Sequence, residues 1–440
     1  MNILIIAIDT LRAQQMSCYG YERRTTPAID ELASEGVLFE QMICSAIPTQ
    51  PSFTTIYTGM HPMSHGIVAN GGSAVLPRGV PLLPEILLKA GWTTCAVDNL
   101  AHSKPWFHKG YEFYIDPSLR RPLRLSVTCE QQNRRAVEFL NQCGSERFFL
   151  FVHYWDPHTP YFPPKRYRTM FYEGDEATAT DPQNEALEPL WRHPLGQRWR
   201  DTWLKLPEGR ITDPEYIRAL YDGSVRYADD GVNALLSALD ASGQAENTLV
   251  VLMGDHGECL GEHGVWYDHH GLFDENMRVP FILRAPGQLP SGVRINSAVQ
   301  TIDAAPTILD AVGIEPHSSM DGQSLLSTID PSLTQQPPYE EPERVIASEC
   351  TWQAKWTLRK PDARLILARS IDFYGSPPRE LYDRIHDPKE TRNIADEQPE
   401  RADAMETELE EWIASETARL GRKIDPVIEQ GRQKFAERWR

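Results

Sequence analysis

A chain of 440 residues with 41% hydrophobic residues can bury a sizeable core, and it reads as one large domain followed by a smaller one. Its formal net charge of −18 argues against nonspecific nucleic-acid binding, which needs a basic surface, but leaves room for a locally positive pocket around a small anion. Seven cysteines without paired spacing, a first strand that begins at Asn2 and no apolar stretch of membrane-span length predict reduced thiols, no cleavable leader and a cytoplasmic protein.

The first element is the apolar run Asn2–Ile8, closed by Asp9. A short, branched, apolar, non-alternating run predicts a buried parallel strand, and ligands sit at the carboxyl ends of such strands. Asp9 is therefore a candidate metal ligand; a helix cap is the structural alternative. Arg12, three residues on, either faces the pocket or makes a salt bridge. Residues 49–59 read as a loop opening a short helix, with Pro51 in the first turn and Gly59 at the stop. Thr49 then lies at the positive end of a helix dipole, which favours an anion or an alkoxide forming on its hydroxyl. Alone, a capping role explains it as well; beside a metal it becomes a nucleophile.

Residues 81–90 predict a helix stopped by Gly91, and 147–153 a central strand leading to Asp156 and His158. Residues 170–210 form an irregular insert carrying Trp191, Trp199 and Trp203, either a specificity lid or a surface excursion. A long amphipathic helix is expected over 213–239. A second apolar run, 249–254, ends in Asp255-His256-Gly257-Glu258. Two carboxylates and an imidazole at two strand ends can meet at one metal ion. The βα alternation to about residue 330 implies a doubly wound sheet. After a Pro-rich linker at 330–342, residues 331–440 form a smaller part. Strands at 345–348, 354–358 and 364–368 make a small antiparallel sheet there. A helix over 399–420 carries Met405, Leu409 and Trp412 on one face, and the tail 435–440 is read as reaching another subunit.

Several short segments fall in a characteristic order. They are Asp9, Thr26-Pro27-Ala28-Ile29-Asp30-Glu31-Leu32-Ala33, Tyr57-Thr58-Gly59, Asp156-Pro157-His158-Thr159-Pro160-Tyr161 and Asp255-His256-Gly257-Glu258. After them come Arg278-Val279-Pro280-Phe281-Ile282, Asp303-Ala304-Ala305-Pro306-Thr307, Asp321-Gly322-Gln323-Ser324-Leu325 and Glu380-Leu381-Tyr382-Asp383. Over nearly its whole length the chain resembles the sulfatase branch of the alkaline phosphatase superfamily. The resemblance implies an α/β fold, with a doubly wound mixed sheet flanked by helices over 1–330 and a small C-terminal α+β subdomain over 331–440.

The departures carry as much information. Where sulfatases have the Cys or Ser of a Cys/Ser-x-Pro-x-Arg motif, this chain has Thr49, and the motif's Arg is Phe53. Threonine cannot become formylglycine, because its β-carbon carries a methyl group. Cys44 lacks a proline two residues on and reads as a small buried residue. The family's lysines fall near Asn99 and His269, and Asp9 is followed by Thr10 rather than a second Asp. A metal-activated threonine is the nucleophile of other branches, including nucleotide pyrophosphatases/phosphodiesterases, phosphonoacetate hydrolases and phosphoethanolamine transferases.

The resemblance thus implies a divalent metal (Mn, Zn, Mg or Ca) held by Asp9, Thr49, Asp255 and His256. One site is expected; a second completed by Asp268, His269 or His270 stays open. Asn70, Asn99, His270 and Arg12 are candidate substrate contacts. His158 is directed at the anion or leaving group, and His269 is a general acid or a ligand; a hydrogen-bonded structural role is the alternative for each histidine. The expected activity is hydrolysis of phosphodiesters, phosphomonoesters or phosphonate esters through Thr49. A sulfate-ester hydrolase without formylglycine is the alternative; a phospho-group transferase or a binding protein is a further one. The expected partner is a small anionic ester, with no nucleic acid, no membrane and homo-oligomer formation.

Overall fold

The structure is a computed structural model that describes residues 1–118, 127–176, 178–206 and 209–431. The tail 435–440 lies outside the described residues. Strand Asn2–Ile8 runs parallel between Phe148–Tyr154 and Thr248–Gly254, and every residue of the three is buried. Their apolar sequences cannot alternate because both faces are covered. Leu4, Ile6 and Ile8 pack on one face against helices Pro27–Ser34, Cys129–Cys143 and Pro214–Ala241. Ile3, Ile5 and Ala7 pack on the other against Thr49–Thr58, Leu83–Lys89 and Ala304–Ala311. Truncating Ile5 to Ala is expected to cost about 2–5 kcal/mol, since close-packed surroundings collapse only partly into the space.

Among the described residues the large sheet has nine strands. Thr93–Val97 and Phe113–Ile115 extend it in parallel beyond Phe148–Tyr154. Phe281–Arg284 enters antiparallel beside Thr248–Gly254, which makes the sheet mixed. The parallel register pairs Ile8 with both Tyr154 and Gly254. Three carboxyl ends therefore finish at one level, so Asp9, Trp155 and Asp255 begin their loops together.

The C-terminal sheet holds more than the three strands expected. Arg379–Asp383 pairs with Ala363–Ala368, and Ala46–Ile47 pairs in parallel with Val345–Cys350 through Ala46–Ser348 and Ile47–Glu349. The second sheet thus grips the chain just before Thr49. Helix Pro399–Arg419 buries Ala402, Met405, Leu409 and Ile413 against this sheet, while Trp412 is half-buried beside Trp356. The insert is partly ordered into helices Glu188–Arg192 and Pro194–Asp201. Trp203 is buried edge-on against Tyr161 and Tyr267, which ties the insert to the loops that carry these two tyrosines. All seven cysteines are free, and Cys44 is buried among Ile43, Ile47 and Met277.

Candidate active site

Asp9 and Asp255 stand side by side at the ends of adjacent strands, both fully buried. Asp255 Oδ1 accepts hydrogen bonds from the Thr10 amide at 3.2 Å and the His256 amide at 2.8 Å. Among the described residues, Asp255 Oδ2 and both Asp9 oxygens have no well-formed hydrogen bond. Thr10 sits at φ +56°, left-handed backbone that is costly for a branched residue. The strain is offset by its amide bond to Asp255 and by the Tyr221 hydroxyl, which donates to the Thr10 carbonyl at 2.7 Å.

His256 Nδ1 donates to the Gly257 carbonyl at 3.0 Å, an assignment made from the surrounding network. Its Nε2 therefore presents a lone pair, 3.2 Å from Thr49 Oγ1 and 3.3 Å from Asp255 Oδ2. Gly257 is required here, since a Cβ would lie 2.0 Å from the Glu275 carbonyl oxygen. Thr49 is the first residue of helix Thr49–Thr58, which ends at Gly59 with φ +63° as expected. Ser52 donates to the Asp255 carbonyl at 2.7 Å and fixes the helix against the loop that Asp255 begins. Donor atoms of Asp9, Asp255 and His256 lie within 4.8 Å of one another. Buried carboxylate oxygens that lack a well-formed hydrogen bond among the described residues, beside an imidazole lone pair, fit a divalent cation.

Sequence reasoning missed His153. Its Nε2 lies 3.3 Å from Asp9 Oδ2, and its Nδ1 lies 2.9 Å from Asp98 Oδ1, all three side chains being fully buried. Burial would push the imidazole down; the hydrogen bonds and charges of Asp9 and Asp98 outweigh it and push His153 up to about 10. Burial also raises Asp9, but the His153 hydrogen bond and the neighbouring imidazoles hold its carboxyl below the usual range. Asp255 is held well above it, by burial and then by the Asp9 charge. Burial lowers His256 and disfavours its charged form. Phe53, in the place of the motif's Arg, packs edge-on against His153 with ring centres 4.8 Å apart.

A cavity of about 410 Å³ opens above this floor. Thr49, Asn70, His158, His269 and His270 line it. Trp155 and Trp352 add aromatic walls that sequence reasoning did not assign, and Trp199 comes from the insert that it read as a lid or a surface excursion. His269 bridges the group, with ring centres 4.8 Å from His256 and 5.1 Å from His158. Two candidate substrate contacts lie apart from the lining. Arg12 is buried and pairs with Glu262 at 3.0 Å, the salt-bridge alternative of the two read for it, and so staples the loop after Asp255. Asn99 also lies outside the lining; its Oδ1 accepts from the Trp155 indole at 3.0 Å and orients that wall.

Acidic and imidazole donors around a hydroxyl, at the strand ends of a mixed α/β sheet, define the class of metal-dependent ester-bond hydrolases. The chain matches the Sulfatase family over residues 1–314, and the N-sulphoglucosamine sulphohydrolase C-terminal family over 261–418. It belongs to the sulfatase family, within the sulfatase/alkaline phosphatase superfamily. Mouse iduronate 2-sulfatase is 29% identical over 332 residues, covering 66% of this chain and 60% of that protein. The multifunctional alkaline phosphatase superfamily protein PehA of Trinickia caryophylli is 26% identical over 396 residues, 74% of this chain and 76% of that protein. The phosphonate monoester hydrolase of Agrobacterium radiobacter shares the fold, with a TM-score of 0.70 at 21% identity over 95% of this chain and 96% of that one. No helix among the described residues is long and apolar enough to cross a membrane.

Proposed function

We propose that the protein hydrolyses phosphate or phosphonate esters with Thr49 as its nucleophile. One observation carries this reading: the Thr49 hydroxyl, at a helix N-terminus, lies 3.2 Å from His256 Nε2, whose other nitrogen is committed to the Gly257 carbonyl. The hydroxyl therefore borders the nitrogen through which His256 would hold the ion, and the helix end favours the negative charge left on oxygen when its proton passes to solvent. Asp9, Asp255 and His256, with Thr49, would hold the divalent ion. When bound, that ion supplies Lewis-acid activation of the hydroxyl and charge to offset the developing oxyanion.

In the first step Thr49 Oγ1 bonds to phosphorus and the ester P–O bond breaks. The departing alkoxide takes a proton from an imidazole on the cavity wall, with His158 placed for this role. In the second step water attacks phosphorus, gives a proton back to that imidazole and releases Thr49 Oγ1. Trp155, Trp199 and Trp352 surround the ester's alcohol part, with the insert acting as a lid. A formylglycine route has no starting residue at position 49. Sulfate-ester hydrolysis through the same threonine is the second reading, favoured by the family match over residues 1–314.

The test is a paired assay of metal-loaded wild type and Thr49→Ala on an aryl phosphate, an aryl phosphodiester, an aryl phosphonate monoester and an aryl sulfate. Turnover of a phosphorus ester that disappears in Thr49→Ala, with phosphate trapped on Thr49 by acid quench and mass spectrometry, is expected. Turnover of aryl sulfate alone selects the second reading, and phosphorus turnover that survives in Thr49→Ala removes Thr49 as nucleophile.

A further inference from the structure

Strand Trp266–Asp268 pairs antiparallel with Cys259–Leu260, which begins four residues after Asp255, and so folds residues 268–270 back over the metal-ligand loop. Asp268, His269 and His270 are each more than nine-tenths buried. Each offers a donor atom within 4.8 Å of the other two. His269 Nδ1 and His270 Nε2 have no hydrogen-bond partner among the described residues, nor has Glu258 Oε2, 3.9 Å from His269 Nδ1. Buried polar atoms are ordinarily paired, so three unpaired ones on residues this close ask for a ligand.

The surroundings are built to hold this group still. Asp268 Oδ1 accepts from His270 Nδ1 at 2.7 Å and from the His269 amide at 2.8 Å, while the Tyr374 hydroxyl donates to Asp268 Oδ2. Gln353 donates to the His270 carbonyl at 2.9 Å. Tyr374 and Gln353 belong to the C-terminal part, which therefore braces the cavity wall. Outer hydrogen bonds of this kind orient metal-binding imidazoles. A simple Asp268–His270 proton relay would explain their 2.7 Å contact, but it leaves His269 Nδ1 and Glu258 Oε2 unsatisfied.

We infer that Asp268, His269 and His270 form a second divalent-metal site on the wall of the same cavity. Two imidazoles and one carboxylate select zinc or manganese over calcium, whose ligands are oxygens. The His269 ring lies 4.8 Å from His256 and 4.3 Å from His270, so the two donor groups are contiguous. Two cations there match a phosphorus centre bearing two anionic oxygens better than a sulfate ester, which bears one. This inference rests on the Thr49 phosphoryl-transfer reading for its substrate class, but not for its metal content. It also makes His269 a ligand and leaves proton delivery to His158.

The experiment strips the full-length protein with a chelator, dialyses it against excess Zn²⁺ and counts bound zinc by mass spectrometry and calorimetric titration. Wild type is expected to bind two ions per chain. His269→Gln, His270→Gln and Asp9→Asn are each expected to bind one, with folding checked by circular dichroism; the two histidine variants test the site separately. One zinc in wild type, or two in both histidine variants, overturns the site. One zinc together with Thr49-dependent phosphorus turnover removes the second site and leaves the nucleophile standing. Two zincs lost in the expected pattern, without any turnover, support the site and count against the phosphoryl-transfer reading.

Discussion

Asp98→Asn removes one of the two carboxylates that flank His153, in a cluster without solvent access. In metal-free protein the imidazole titrates near 10 instead of at its ordinary 6.5. At about 1.4 kcal/mol per tenfold step, that gap is worth on the order of 5 kcal/mol. A raised histidine stabilises the fold fully below the unfolded value of 6.5, and the contribution fades as pH climbs through about 10. Asp98 makes the shorter contact, 2.9 Å against 3.3 Å for Asp9, so it is assigned about half. The variant is then expected to lose about 2–3 kcal/mol at pH 6.5 and little at pH 10. Its amide still accepts from the Leu100 amide and the Tyr114 hydroxyl, which are 2.9 Å and 2.6 Å from Asp98 Oδ2. Urea unfolding of chelator-treated wild type and variant at pH 6.5, 8 and 9.5 measures the difference directly. Two stability curves that stay parallel across this range would refute the buried imidazolium.

Metal loading should release protons, because burial and the Asp9 charge hold the Asp255 carboxyl well above its ordinary value. Zinc affinity is expected to weaken as pH falls, and titration enthalpy to depend on the buffer's ionisation enthalpy; identical enthalpies in phosphate and Tris would contradict this. Arg12→Met keeps the packed stem but breaks the 3.0 Å pair with Glu262, and should cost about 2 kcal/mol of stability while leaving KM within about twofold. A tenfold rise in KM without lost stability would instead return Arg12 to the substrate.

What the sequence by itself determined was local. Apolar runs without alternation marked the strands Asn2–Ile8 and Thr248–Gly254, and the acidic residues closing them were Asp9 and Asp255. Pro51 and Gly59 bounded the helix that starts at Thr49, because φ restrictions act within a few residues. Tertiary structure decided what depends on distant partners. His153 joins Asp98 across 55 residues, and Arg12 meets Glu262 across 250, pairings that no local pattern announces. Ala46–Ile47 entered the C-terminal sheet because a two-residue strand has no periodicity of its own and is defined by the edge it meets. Trp199 and Trp352 reach one cavity from the insert and from just beyond strand Val345–Cys350. An apolar strand declares itself through its own side chains, whereas a charge finds its counter-charge, and a wall its opposite face, only when the chain has closed on itself.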